Sequence, residues 1–80
     1  MKLFLLTQNQ NNGYDTYDAY IVVAETINEA VKILPSDLYT WESAHGVWAS
    51  SPEHVTATYI GEAAHGYKGG EVILASFNAG

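Results

Sequence analysis

Residues 2–24 read KLFLLTQNQNNGYDTYDAYIVVA, and this stretch decides the fold. Its first part, residues 2–7, is a short apolar run bounded by turn-forming residues, which is typical of a β-strand covered on both faces. Asn12-Gly13 tolerates positive φ angles and is the strongest hairpin signal in the chain. The residues approaching Ala24 are β-branched and aromatic, as strand residues commonly are. The stretch therefore predicts two strands joined by a turn.

Alternation divides the second of these strands into two faces. The face that we predict to be buried contains Tyr17, Ala19, Ile21 and Val23. The opposite face begins polar and ends apolar, and it contains Tyr14, Thr16, Asp18, Tyr20 and Val22. We expect its polar end to meet solvent or a partner.

The pattern changes to a helical one after residue 24. Thr26 and Glu29 have the spacing of a capping box, in which a Thr hydroxyl and a Glu carboxylate satisfy free amides of the first turn. The next apolar residues form one helical stripe, Ile27, Ala30, Val31 and Leu34. Pro35 disfavours a helical residue before it, so we predict a helix over residues 27–34.

Residues 36–52 show no clear period and are long for a connection in so small a chain. We interpret them as an ordered loop held in place by the large side chains of Trp41 and Trp48. Ser51-Pro52-Glu53 has the signature of one helical turn, with a cap, a proline and an acid. Residues 55–60 and 71–77 have the composition of two further strands.

These elements predict a single α+β domain over residues 1–80, with a four-stranded, mainly antiparallel sheet in the order ββαββ. The most apolar strands, 2–7 and 71–77, are expected at the centre of the sheet. One short helix covers little of such a sheet, so the tryptophan loop or a second subunit must cover the rest. The predicted core is Leu3, Leu5, Ile21, Val23, Ile27, Val31, Leu34, Val55, Ala57, Tyr59, Ile73 and Ala75.

The charge balance excludes several classes of function. Lys and Arg together number 3 against 9 Asp and Glu, so the formal net charge is −6. Binding to nucleic acid or to an anionic membrane needs a basic surface. The chain has no Cys, which excludes disulfides and thiolate chemistry, and no apolar run of membrane-spanning length. We therefore expect a cytoplasmic protein.

Catalytic and metal-binding patterns are weak. His45 and His65 each lie in a Glu-x-Ala-His-Gly segment, but neither these nor His54 has the spacing of ligands on one helix face. Residues 66–70 superficially resemble a phosphate-binding loop, yet no Ser or Thr follows Lys68 and a strand follows the loop. We predict no metal, no cofactor and no enzymatic activity.

The region from Asn11 to Tyr20 is the best candidate for a binding site. It combines amides, acids and tyrosines, and tyrosine offers a large contact area with a polar tip at little entropic cost. The predicted site residues are Asn11, Asn12, Tyr14, Asp15, Thr16, Asp18 and Tyr20.

Two terminal segments, residues 1–8 with 12–18 and residues 72–80, resemble a family of small uncharacterised proteins from phages and prophages. The resemblance also touches residues 51–53 and 59–62, and it covers about two thirds of the chain. It implies a virus-encoded protein that acts in a bacterial cytoplasm, and small phage accessory proteins often inhibit host defence. No activity and no site residues can be carried over from this family.

Two functions remain open at this point. The first is a non-enzymatic inhibitor that binds a host bacterial protein through an acidic, tyrosine-rich surface, because complementary potentials steer association with a basic groove. The second is a protein that sequesters a small nucleotide signal, working as a homo-oligomer and using Asn11, Asn12, Tyr14 and Thr16. The absence of Arg disfavours a highly phosphorylated ligand in this second case.

Overall fold

The computed structural model describes residues 1–11, 13, 15–44 and 46–78, with the backbone alone for Asn78. The predicted site residues Asn12 and Tyr14, and His45, lie outside the described residues.

Four strands form one antiparallel sheet, and the chain contributes them in the predicted order. They are β1 (Lys2–Gln8), β2 (Thr16–Ala24), β3 (Val55–Glu62) and β4 (Val72–Asn78). Between β2 and β3 lie α1 (Ile27–Ala30), α2 (Trp41–Ala44) and a 3-10 turn (Pro52–His54). The α+β fold and the ββαββ order are confirmed, and α2 is a one-turn helix within the segment that we predicted as a loop.

The spatial order of the strands is β3-β1-β2-β4. The β1–β2 hairpin therefore forms the centre of the sheet, as the apolar character of residues 2–7 predicted for β1. The prediction that residues 71–77 are also central is wrong, because β4 pairs with β2 and lies at an edge of the sheet formed by the described residues. The apolar composition of β4 thus has a different cause from that of β1.

The main core lies on one face of the sheet, beneath the segment that joins β2 to β3. On β1 and β2 the core residues are Phe4, Leu6, Tyr20, Val22 and Ala24. The joining segment covers them with Ala30, Ala44, Trp48 and Ala49. Trp48 is fully buried, and its ring centroid lies 4.5 Å from that of Tyr20. The expectation that a tryptophan holds this segment in place is confirmed for Trp48.

The predicted core residues of the central strands, Leu3, Leu5, Ile21 and Val23, are not members of the main core cluster. The core residues of β1 are Phe4 and Leu6, whereas Leu3 and Leu5 alternate onto the opposite face and are only partly buried. Apolar residues occupy both faces of β1, so alternation could not identify the side that the joining segment covers.

In β2 the faces are exchanged by a bulge. Tyr17 pairs with Phe77 and Ala19 pairs with Ser76, so Asp18 is an extra residue between the two pairs. A bulge of this kind shifts the alternation by one residue. Tyr17 and Tyr20 consequently lie on the same face, with ring centroids 6.4 Å apart, instead of on opposite faces.

Several residues of the predicted core are exposed. Ile27 is 54% exposed, Tyr59 is 52% exposed and Ile73 is 38% exposed. Ile27 begins a helix too short to present a stripe, whereas Tyr59 and Ile73 belong to the two edge strands. Val23 and Val55 are buried as predicted, although Val23 lies outside the main core cluster.

The predicted helix over residues 27–34 is shorter than its apolar pattern suggests. The Thr26 cap is confirmed, because the amide of Glu29 donates to the Thr26 hydroxyl at 3.2 Å, whereas the Glu29 carboxylate accepts at 3.4 Å from the amide of Glu25, the residue before the cap. Helix α1 ends at Ala30, and the Tyr20 hydroxyl donates to the carbonyl of Ile33 at 2.5 Å. This hydrogen bond and Pro35 hold the following residues in a non-helical path.

Candidate interaction surface

Two of the predicted binding residues are buried. Thr16 is 2% exposed, and its hydroxyl donates to the carbonyl of Gly13 at 2.6 Å. Tyr20 is 1% exposed, and burial raises the pKa of its phenol above the usual value of 10.0. Neither side chain can contact a partner without unfolding, so the structure corrects the prediction for both.

The remaining described members of the predicted site lie at the end of the sheet where β1 and β2 are joined. Asn11 is half-buried, and its side-chain amide lies 3.5 Å from the carbonyl of Trp48. Asp15 is exposed and has a positive φ of 59°. Asp18 is exposed at the bulge, and its carboxylate accepts from the Ser76 hydroxyl at 3.5 Å. Asp18 therefore connects this end of the hairpin to β4.

Strand β4 is the most exposed apolar element of the fold. All residues from 73 to 77 are exposed, with Leu74 at 65% and Phe77 at 44%. The strand reads VILASFN and contains no charged residue, glycine or proline. Natural edge strands usually carry charges, prolines or strong bulges that block pairing with other chains. The described part of β4 has one such feature, an extra residue at Ile73 near its beginning.

The backbone of β4 is available for pairing along its outer side. In an antiparallel ladder, successive residues direct their N–H and C=O groups alternately toward one neighbour and the other. Strand β4 has β2 as its neighbour on one side and no neighbouring strand on the other within the described chain. Its outer backbone groups and its exposed side chains therefore form one continuous surface, which we call the β4 edge (residues 72–78).

A groove runs between the β4 edge and the segment that covers the core. Its volume is about 580 Å³. It is lined by Ile33, Leu34, Pro35, Ser36, Asp37, Tyr39, Gly70 and Val72. Because Gly70 and Val72 border the start of β4, a chain segment beside this strand would direct alternate side chains toward the groove.

Aromatic side chains support the far end of the β4 edge. The ring of Phe77 packs edge-on against Tyr17 with centroids 4.9 Å apart, and Tyr17 packs against Tyr39 at 6.3 Å. Burial and the neighbouring Tyr39 raise the pKa of Tyr17 above its usual value. Edge-to-face contacts of this kind stabilise each pair by about 0.5–1.5 kcal/mol beyond burial. The packed rings of Tyr17, Tyr39 and Phe77 therefore form an apolar surface at this end of β4.

Exposed acids lie at both ends of the β4 edge. Asp37 lines the groove, Glu71 precedes the strand, and Asp18 lies beside its last residues. The ion-pair contact found within the described residues joins the N-terminal ammonium to Glu25, at 3.7 Å. The carboxylate of Glu71 accepts from the backbone amide of Lys68, at 2.6 Å. Asp18, Asp37 and Glu71 thus have no cationic partner in the described chain.

A second, more polar cavity lies beside Trp48. Its volume is about 370 Å³, and Gln10, Asn11, Trp48 and Ser50 line it. The side-chain amide oxygen of Gln10 accepts from the backbone amide and the hydroxyl of Ser50, at 3.0 and 3.1 Å. The buried indole N–H of Trp48 has no hydrogen-bond acceptor among the described residues. Such an unpaired buried donor typically costs about 1–3 kcal/mol.

The described histidines, His54 and His65, lie outside the sheet strands. His54 ends the 3-10 turn and His65 lies in the loop before β4, and both are exposed. Within residues 1–11, 13, 15–44 and 46–78, no three His, Cys, Asp or Glu side chains come together as metal ligands would. None of the helices in this part of the chain has the length and apolar character needed to cross a bilayer.

Sequence reasoning identified the acidic end of the hairpin but missed the β4 edge. The available signal was the uncharged run VILASFN, which we assigned to the sheet centre because central strands are apolar on both faces. Comparison with protein-family models, with curated proteins and with solved structures found no match for this chain.

Proposed function

We propose that this protein is a non-enzymatic binding protein that recognises another protein by adding one of its extended segments to the β4 edge. In strand addition, backbone hydrogen bonds supply affinity and pockets for alternate side chains supply specificity. The β4 edge offers the backbone groups, and the groove beside Val72 offers the pocket.

The observation that carries this proposal is the exposure of an uncharged apolar edge strand. Leu74 is 65% exposed at the middle of a strand without charges, glycine or proline. Such an edge favours pairing with other chains and is a liability for a protein that must remain alone. An uncharged apolar edge is expected if this edge is the surface that binds the partner.

The resemblance to small phage proteins suggests the setting in which this binding occurs. A virus-encoded protein in a bacterial cytoplasm meets host proteins, so the proposed partner is a host protein whose function the complex inhibits. The acidic residues Asp15 and Asp18 flank the β4 edge in this proposal, instead of forming a separate tyrosine-rich site. Inhibition of a host defence protein is the form of this function that the resemblance favours.

Proline substitutions at adjacent positions test strand addition directly. Ala75 and Ser76 are consecutive, so the backbone amide of one points outward and that of the other points to β2. The outward proline should abolish capture of a partner from bacterial lysate while the domain stays folded, since edge strands tolerate such a proline. The inward proline should reduce stability as well.

The matched control is the same pair of substitutions on the other edge, at Ala57 and Thr58 of β3. The β3 proline that leaves the domain folded should leave capture unchanged. Identical sets of captured proteins for wild type and for the folded variants of both edges would overturn the proposal.

A second candidate function is binding of a small molecule in the polar cavity beside Trp48. The specific observation that favours it is the polar lining of this cavity by Gln10, Asn11 and Ser50, whose amide and hydroxyl groups can donate to or accept from a ligand. A ligand of the folded state raises the melting temperature by mass action. A thermal-shift panel of nucleotide signals tests this candidate, and unchanged melting temperatures across the panel would remove it.

A further inference from the structure

We infer that the segment recognised by the β4 edge is basic at both ends and apolar at alternate central positions. This inference rests on the proposed strand addition and specifies the chemistry of the partner. The occupant is therefore an extended segment of another protein that carries Lys or Arg on either side of a short apolar stretch.

The first support is the distribution of charge along the edge. Asp37 and Glu71 lie near the start of β4, and Asp18 lies near its end, bonded to Ser76. Between them, residues 72–78 carry no charge. A strand of seven residues spans about 23 Å, which is more than two Debye lengths in physiological salt. The two acidic ends therefore act on different residues of a bound segment.

The second support is the absence of compensating cations. Of the three lysines, Lys2 lies on β1 and donates to the carbonyl of Glu25 at 3.1 Å. Neither Lys32 nor Lys68 forms an ion pair within the described chain. Acids without cationic partners at an interface favour a positively charged partner, because complementary potentials accelerate association and like charges oppose it.

The third support is the apolar lining of the groove and the edge. The lining of the groove includes the apolar residues Ile33, Leu34 and Val72. Leu74 and Phe77 are exposed along the strand itself. Side chains of an added strand alternate between the two faces of the sheet. Alternate apolar residues in the middle of the segment would contact these groups, and terminal cations would reach the acids.

A second copy of this chain fits the edge less well. A β4 strand from another copy would bring its own Glu71 and no cation within residues 72–78. Such pairing would bring no cation from residues 72–78 to Asp18, Asp37 or Glu71 of either copy. The observations therefore favour a different, basic protein over self-association.

Three peptides of one length test the inference on the wild-type protein. The first is acetylated and amidated Ser-Lys-Val-Thr-Val-Thr-Val-Lys-Ser, and the others carry Glu or Ser in place of both Lys residues. At 50 mM salt we expect the Lys peptide to bind about tenfold more tightly than the Glu peptide, with the Ser peptide between them. The difference should shrink in 500 mM salt because of screening.

Charge variants of the protein connect this preference to the β4 edge. The double variant Asp37→Asn with Glu71→Gln should lower the affinity for the Lys peptide about three- to tenfold and leave the affinity for the Ser peptide unchanged. Glu53→Gln with Glu62→Gln changes the net charge equally at the β3 edge and should leave both unchanged.

The outcomes separate this inference from the proposed function. Equal affinity for the Lys, Glu and Ser peptides would overturn the basic partner and leave strand addition standing. If none of the three binds, strand addition itself fails and the inference fails with it. The third outcome is that Glu53→Gln with Glu62→Gln removes the preference for the Lys peptide as fully as Asp37→Asn with Glu71→Gln does. The preference would then depend on net charge alone, and this result would also overturn the inference.

Discussion

The two edge strands of the sheet, β3 and β4, differ in the features that allow or discourage pairing with another chain. Strand β3 pairs with β1 and contains an irregularity between its pairs with Leu3 and Phe4. It also includes Gly61 at a φ of 154° and ends in the acidic Glu62, which accepts from the Tyr59 hydroxyl at 2.6 Å. Strand β4 has neither a glycine nor a charge along its length.

The comparison teaches that exposure alone does not identify an interaction surface. Tyr59 on β3 is 52% exposed, which is close to the 44% of Phe77 on β4. Each edge strand contains one bulge, so other features distinguish the two: β3 carries a charge and a glycine with positive φ, which discourage pairing, whereas β4 carries neither. By this criterion β3 is protected and β4 is open.

The largest expected effect concerns the core that supports both edges. Trp48→Ala removes a fully buried indole that packs against Tyr20, and it should lower the free energy of unfolding by about 3–5 kcal/mol. Urea denaturation followed by circular dichroism measures this change. The partly exposed Trp41 is the control, and Trp41→Ala should cost clearly less. Equal costs would mean that the two indoles support the fold equally.

The next effect separates the edges by their affinity for a partner. Leu74→Lys places a charge in the middle of the open edge and should weaken the Lys peptide at least about tenfold, as expected for a central contact. Thr58→Lys is the matched change on β3 and should alter affinity less than about twofold through net charge. Isothermal titration measures both. The comparison fails if the two variants weaken binding alike.

Alkaline pH should weaken the fold through Tyr20, which lies on the strand that holds β4. Burial raises the pKa of Tyr20 above its unfolded value of 10.0, so the folded state favours the neutral phenol. The neutral Tyr20 phenol therefore makes its full contribution to the free energy of unfolding below about pH 10. This contribution falls as the pH rises above 10, and the loss should exceed about 1 kcal/mol at pH 12.

Denaturation of Tyr20→Phe at several pH values checks this assignment. The free energy of unfolding of this variant should fall much less between pH 10 and 12 than that of the wild type. The hydrogen bond from Tyr59 to Glu62 also raises the pKa of Tyr59, but this side chain is exposed on β3. Tyr59→Phe should therefore retain the decline, and the reverse result would assign it to the β3 edge.

The smallest expected effect lies away from both edges. Thr26→Ala removes the acceptor of the Glu29 amide and should cost about 1 kcal/mol of stability. Peptide affinity at 25 °C should not change, because the loss does not alter either edge. A denaturation midpoint equal to that of wild type would show that this cap contributes nothing to the fold.

The strands, their order along the chain and the Thr26 cap could all be predicted from local patterns. Turn residues bound each strand, and the spacing of Thr26 and Glu29 specifies a cap in any context. The covered face could not be predicted, because β1 is apolar on both faces and the bulge at Asp18 shifts the alternation of β2. The covered face of β1 and the bulge in β2 are both decided by tertiary contacts.

The candidate site was only partly predictable for the same reason. Asp15 and Asp18 were placed at the surface correctly, whereas Thr16 and Tyr20 are buried, Tyr20 because its face of β2 is the one that packs in the core. The apolar run of β4 is compatible with a central strand and with an open edge. Only the pairing order of the sheet distinguishes these two interpretations.

Amide hydrogen exchange, measured with and without the Lys peptide, tests strand addition most directly. The peptide should slow exchange of the outward-facing amides within residues 72–78, since each gains an acceptor, and should leave residues 55–62 unchanged. Protection that appears in residues 55–62, or that leaves residues 72–78 at their free rates although the peptide is bound, would contradict the assignment of the β4 edge as the binding surface.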